Sequence, residues 1–250
     1  RLLMHSLDAY AQDKLASLRE RHLYRALNET LREDGIWVER HNRRFLSFSC
    51  NDYLNLTQHP AIKKAAIAAI EEFGAGSGAS RLVTGNHPLY ARLEARLAEF
   101  KRTEAACVFG SGYLANTGII PALIGSDGLV LLDEFSHACI YAGAQLSRGH
   151  VKIFRHNDVG HARALLDAHR TQHERALIVT DGVFSMDGDV APLEDLLSLA
   201  GQYDAWLMSD DAHGIGVLGG GRGSSFSENS YIAVPLQMGT LSKAIGGYGG

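Results

Sequence analysis

The sequence predicts an α/β protein with a mostly parallel sheet flanked by helices, and three observations lead there. From residue 60 onward, short apolar runs rich in β-branched residues alternate with helical patterns at intervals of roughly 25 residues. The runs are continuously apolar, as strands covered on both faces must be. Polar residues with chemical potential cluster just after the runs, at the edge where open α/β sheets bind ligands.

The elements follow in order. Residues 6–33 set Leu7, Leu15, Leu18, Leu23, Leu27 and Leu31 among charged neighbours at helical spacing, with Gly35 as a stop, which predicts an amphipathic arm. Ile36–Val38 and Phe45–Phe48, separated by the polar stretch Glu39–Arg44, predict a hairpin. An N-terminal segment over 1–55 and a large domain over 56–250 are therefore expected. Strands are expected at Ala105–Phe109, Leu129–Asp133, Val151–Phe154, Ala176–Thr180, Ala205–Asp210 and Ala233–Gly239. Helices are expected over 60–73, 87–101, 113–124, 137–147, 158–172 and 192–203.

Composition narrows the function classes. With 250 residues, 46% hydrophobic and 21% charged, the chain can bury a sizeable core. Its net charge of -4 gives no electrostatic footprint for nucleic acid or an anionic membrane. No run approaches the roughly 20 apolar residues of a membrane span. Cys50, Cys107 and Cys139 are odd in number and form no CxxC pair, which suits a reducing compartment, the cytoplasm by default, and not a zinc site. The chain opens at Arg1 rather than methionine, as a segment of a longer protein would.

Five polar clusters follow the expected strands. Gly110-Ser111-Gly112 precedes a helix, where backbone amides and the helix dipole can cradle a phosphate. His137 stands at a strand end, where an imidazole can stack on a flat ring. Asp181 to Ser185 follow the fourth strand. Asp210 closes an apolar strand, and a carboxylate buried there needs a cationic partner or donor. His213 follows three residues later, and Lys243 lies in Gly239-Thr240-Leu241-Ser242-Lys243. A reactive amine, an acid able to keep a pyridine nitrogen protonated and a phosphate cradle are what pyridoxal phosphate (PLP) requires. Gly214-Ile215-Gly216-Val217-Leu218-Gly219 reads GxGxxG, but more glycines follow instead of a helix and an acid about 20 residues on, which speaks against a nicotinamide site. Asp210, Asp211 and His213 lack a further ligand group for a metal.

In this order, Asn51-Asp52-Tyr53-Leu54, Gly76-Ser77-Gly78-Ala79-Ser80-Arg81, Gly85-Asn86-His87, Ser111-Gly112-Tyr113, Ser136-His137-Ala138, Thr180 to Asp189, Asp210-Asp211-Ala212-His213-Gly214 and Thr240-Leu241-Ser242-Lys243 resemble the α-oxoamine synthases, fold-type I PLP enzymes. The resemblance runs over essentially the whole chain. It implies that Lys243 holds PLP as a Schiff base, Asp210 pairs with the pyridine nitrogen, His213 and Ser185 contact the phenolic oxygen and His137 stacks on the ring. The amides of Gly112 and Tyr113 with Thr240 would bind the phosphate. Asn51 would lie beside the amino acid, and Arg25 would contact the acyl substrate. It further implies a homodimer with shared active sites, in which Ser77 and Gly78 serve the neighbour's phosphate. The implied reaction joins alanine to a pimeloyl thioester on coenzyme A or an acyl carrier protein, with loss of carbon dioxide. Asp181 also resembles members that use glycine, and a non-catalytic partner subunit is the reading from another class. Family members continue past the lysine into a small C-terminal domain with an arginine for the substrate carboxylate, which this chain is expected to lack.

Overall fold

The computed structural model describes residues 2–33 and 35–250. By its contacts the chain divides into a unit ending at Ser49 and a unit running from Cys50 to Gly250.

In the first unit, α1 (Leu2–Glu20) stops where His22 turns left-handed at φ 55, its N–H on the Arg19 carbonyl and that of Leu23 on the Leu18 carbonyl. The helix expected over 6–33 is therefore shorter. Beyond it, the Asn28 amide bonds the Ala26 carbonyl at 3.4 Å and the Thr30 hydroxyl the Asn28 carbonyl at 3.3 Å, local bonds that compete with helix. Leu23 and Leu27 are exposed in irregular chain, and Leu31 enters β1 (Leu31–Arg32). β1 pairs antiparallel with β2 (Trp37–Arg40), which pairs with β3 (Arg43–Leu46). The expected hairpin is present with a turn of only His41 and Asn42, at φ 52 and 55, the left-handed geometry that matches strand twist.

In the second unit, β4 (Leu129–Asp133), β5 (His150–Phe154), β6 (Ala176–Asp181), β7 (Trp206–Asp210) and β8 (Leu236–Met238) form a parallel sheet in the order β5-β4-β6-β7-β8. The helices are α2 (Pro60–Phe73), α3 (Pro88–Lys101), α4 (Gly112–Leu123), α5 (Ala138–Ser147), α6 (Val159–His169) and α7 (Leu193–Gln202). All lie where the sequence places them; the tail of α6 tightens into a 3-10 turn at Arg170–Gln172.

Successive strand residues point to opposite faces, and both faces are covered. Leu129, Leu131, Ile178 and Leu207 pack with Leu166 of α6 and Leu196 of α7. Val130, Leu132, Leu177, Val179 and Met208 pack with Ile120 of α4 and Ile140 of α5. The continuous apolar runs follow from this double burial. Each such side chain contributes about 1.5 to 3 kcal/mol on leaving water. The carboxyl ends of β4, β6, β7 and β8 then lead into the segments carrying His137, Ser185, His213 and Lys243.

Ala105–Phe109 is not a strand. Its described ladder bonds are one exchange between Phe109 and Gly250, at 2.7 and 3.0 Å. The N–H of Val108 goes instead to Glu94 and its carbonyl to Arg81, so side chains satisfy the backbone that a neighbouring strand would. Among the described residues no helix is long and apolar enough to cross a membrane.

Candidate active site

The register of β6 against β7 sets Asp181 directly beside Asp210. The Asp210 carboxyl is buried, 4% exposed, accepting the Ala212 N–H at 3.0 Å on Oδ1 and the Asn116 amide at 2.7 Å on Oδ2. Burial pushes its pKa up, against those two donors and the attraction of Lys243 and His137. Among the described residues no cation hydrogen-bonds to it. Asn116, fully buried on α4, also donates to the Cys139 thiol at 3.1 Å. Sequence reading missed Asn116, although an amide within the apolar stretch Leu114 to Ile120 needs a buried partner.

Lys243 lies half-buried after β8, its Nζ 2.7 Å from Nε2 of His213. Nδ1 of His213 in turn lies 2.6 Å from the Tyr53 hydroxyl, which donates to Asn51 Oδ1 at 3.4 Å. Burial lowers the Lys243 pKa, opposed by Asp210 and Asp181. Burial, then Lys243 and His137, hold His213 down at about 4, so its ring is neutral at neutral pH. A neutral ring offers one donor and one acceptor. An ammonium donating to Nε2 therefore places the ring proton on Nδ1, aimed at Tyr53.

His137 caps α5: its Nδ1 accepts the Cys139 N–H at 3.2 Å and lies 2.8 Å from the Cys139 sulfur. In the neutral ring, an accepting Nδ1 leaves the proton on Nε2. Burial pushes the Cys139 thiol up to about 11, so it stays protonated. The backbone N–H of His137 donates to Asp181 Oδ2 at 3.1 Å, while Asp181 Oδ1 is buried without a partner.

Burial and then the neighbouring Asp210 raise Asp181 from 3.8 to about 8. Between those values the folded chain keeps a proton that the unfolded chain has lost, so this group makes stability fall as pH rises from about 4 to about 8. Asp181→Asn cannot ionise. The melting temperature of Asp181→Asn minus that of the parent is expected to rise across this window and level off above it; a difference independent of pH would contradict the assignment.

The remaining expected residues are distributed as follows. Ser111 Oγ caps α4 by accepting the Leu114 N–H at 3.1 Å, and a Cβ on Gly112 would lie 3.5 Å from Thr240 Cβ, so the helix N-terminus and Thr240 adjoin. The Thr240 hydroxyl donates to the Gly249 carbonyl at 3.0 Å. Tyr113 is exposed beside Gly112, and Ser185 is exposed after β6. Ser77 and Gly78 lie beyond α2, with Ser77 Oγ 3.4 Å from the Tyr90 hydroxyl and no described contact to Lys243. Arg25 is exposed in the first unit. Asp211 accepts Lys101 Nζ at 2.9 Å and the Ser224 N–H at 3.0 Å. The GxGxxG stretch opens no α-helix, only a 3-10 turn at Gly219–Gly221, and it lies against this carboxylate: a Cβ on Gly214 would fall 2.0 Å from Asp211 Oδ1, and one on the following Gly223, at φ 111, 1.7 Å from Oδ2.

The chain as a whole is similar to known proteins. A family model described as aminotransferase class I and II matches residues 43–250. Over 247 residues the chain is 62% identical to the 8-amino-7-oxononanoate synthase of Beijerinckia indica subsp. indica, a match covering 99% of this chain and 64% of the relative. It is 68% identical over 213 residues to the protein of the same name from Methylocella silvestris, covering 85% of this chain and 61% of that one. Among solved structures, a lysine-to-alanine variant of serine palmitoyltransferase from S. paucimobilis, with a bound PLP–myriocin aldimine, is similar at TM-score 0.88 and 29% identity. That match covers 100% of this chain and 65% of the other. The chain thus spans less than two thirds of the length of each of these relatives.

Proposed function

The chain belongs to the aminotransferase class I and II family, and we propose that the complete protein is an α-oxoamine synthase condensing L-alanine with a pimeloyl thioester to give 8-amino-7-oxononanoate for biotin synthesis. The observation that carries this reading is the 62% and 68% identity to relatives bearing that name. Asp181 and the short reach of any single motif leave the geometry itself compatible with other acyl chains, so relatedness supplies the substrate.

PLP suits the residues present. Asp210 is a buried carboxylate without a hydrogen-bonded cation, Asp181 has an orphaned buried oxygen, and the Lys243 amine has only a neutral imidazole as its described partner. When bound, the cofactor supplies a carbonyl for an amine and a protonated ring that takes up the electron pair left at the amino acid's α-carbon. Lys243 would hold it through Nζ, and Asp210, whose two described donors are both neutral, would keep the pyridine nitrogen protonated. His213 and Ser185 would face the phenolic oxygen, with His137 against the ring. The Gly112 and Tyr113 amides, at the N-terminus of α4, and Thr240 would take the phosphate.

Lys243 Nζ, whose pKa burial lowers so that more of it is unprotonated near neutral pH, would take the alanine Cα proton and return a proton to the product. Asn51 would orient the amino acid and Arg25 the acyl substrate, carried on coenzyme A or an acyl carrier protein. A cytoplasmic homodimer is part of the proposal, with Ser77 and Gly78 of each copy serving the other's phosphate. Full-length protein assayed with alanine, glycine and serine against pimeloyl and acetyl thioesters is expected to prefer alanine with pimeloyl. Preference for glycine with acetyl-CoA would make it a 2-amino-3-ketobutyrate ligase instead, and bound cofactor without any turnover would point to a non-catalytic partner subunit.

A further inference from the structure

The turn after β5 holds a group that the proposed reaction does not use. The His156 ring sits between two carboxylates, with Nδ1 3.0 Å from Asp133 Oδ1 and Nε2 2.7 Å from Asp189 Oδ2. Asp133 is fully buried at the end of β4 and also accepts the Phe135 N–H at 2.9 Å and the Asn157 N–H at 2.8 Å. Asp189 Oδ2 accepts the Asn157 side-chain amide at 2.8 Å as well. A carboxylate oxygen is an acceptor, so a ring nitrogen that faces one is matched when it carries a proton. Protons on both ring nitrogens match both carboxylates and make the ring an imidazolium; the Asn157 amide, 3.3 Å from Nε2, then donates along the shorter bond to Asp189 Oδ2.

Its apolar contacts point the same way in space. Phe135 stacks on the ring at 4.6 Å and 27°, and Phe184 meets it edge-on at 4.4 Å and 87°. Phe135 stands two residues before His137, and Phe184 immediately before Ser185. One side chain thus grips the segment leaving β4 through Asp133 and Phe135, and the segment leaving β6 through Phe184 and Asp189. The His156 backbone N–H adds a bond to Glu134 Oε1 at 2.8 Å.

We propose that His156 is a positioning residue whose doubly bonded imidazolium ties the loop carrying His137 to the loop carrying Ser185, so that the placement of both follows its proton. The charged and titratable groups around it are Asp133 and Glu134 from β4 and its exit, and Asp189 from the loop after β6. On its own turn Arg155 is paired with Asp158, and His161 of α6 accepts the Arg155 N–H. Burial opposes the charge, but hydrogen bonds to Asp133 and Asp189 outweigh it and hold the His156 pKa above its usual 6.5. A raised histidine pKa means that the tie is complete below 6.5 and is lost as pH rises through the raised value.

The test uses full-length holoenzyme labelled with 15N in its histidine rings, followed by NMR across neutral and alkaline pH. His156, assigned from its loss in His156→Gln, is expected to show two ring N–H groups at neutral pH. The His137 ring signals should move with the same midpoint as His156. Asp189→Asn keeps an acceptor oxygen but removes the charge, so both midpoints should shift together to lower pH. His156→Gln, checked as folded by far-UV circular dichroism, should lose the alkaline inflection of His137 and about 10- to 100-fold in kcat, the cost of a displaced reacting group. A neutral His156 at neutral pH, or His137 signals that ignore its titration, would overturn the proposal. These NMR readings do not depend on which substrates the enzyme uses.

Discussion

Replacing Lys243 by alanine in the full-length protein is expected to remove the visible absorbance of lysine-linked PLP and to lower kcat by roughly 10^4-fold or more, the scale seen when a covalent group is deleted. The site offers no substitute amine. Nζ is half-buried against His213, and the other buried lysine, Lys101, is held by Asp211 and the Arg222 carbonyl at 2.9 and 2.6 Å. The variant should remain folded, because the change removes one described hydrogen bond at the surface of the sheet edge and opens no core cavity. Retention of kcat within tenfold would remove Lys243 from the reaction.

Asp210→Asn is the second large effect, with kcat expected to fall roughly 10^3-fold, within the range that a positioned proton-holding group supplies. Asparagine keeps the shape and can still accept from Ala212 or Asn116, but it cannot hold a proton on a pyridine nitrogen by charge. The deficit should appear in the step that removes the Cα proton, read as the exchange of that proton for deuterium in alanine. Stability should change in the other direction. Asp210 is a carboxylate whose pKa is raised by burial, so its ionised form costs the folded apoprotein stability that a neutral amide does not. A variant that exchanges the Cα proton at the parent's rate would show that the carboxylate serves packing alone.

The legible parts of the chain are those where one physical cause dominates. β4, β6 and β7 are buried on both faces, so their apolar runs stand out and their ends were readable to within a residue. Residues at their carboxyl ends could be assigned to one site by topology alone, and His137, Asp210, His213 and Lys243 do come together there. The 6–33 stretch is helical only to Glu20; beyond it Leu27 is fully exposed, and local side-chain bonds from Asn28 and Thr30 compete with the helix. Ala105–Phe109 failed because a strand is a relation between two segments, and sequence shows only one. Asn116, Cys139 and Tyr53 escaped as partners because each acts across 23 to 160 residues of chain. GxGxxG was set aside from its context, and its close approach to the Asp211 carboxylate through Gly214 became visible only in the fold.

The central claim is that Lys243 is the amine that holds the cofactor. Full-length protein incubated with PLP, reduced with borohydride, digested and mapped by mass spectrometry tests it most directly. The expected result is the reduced cofactor's mass on the peptide containing Lys243 and on no other lysine; the same mass on a different lysine, with the Lys243 peptide unmodified, would contradict the account.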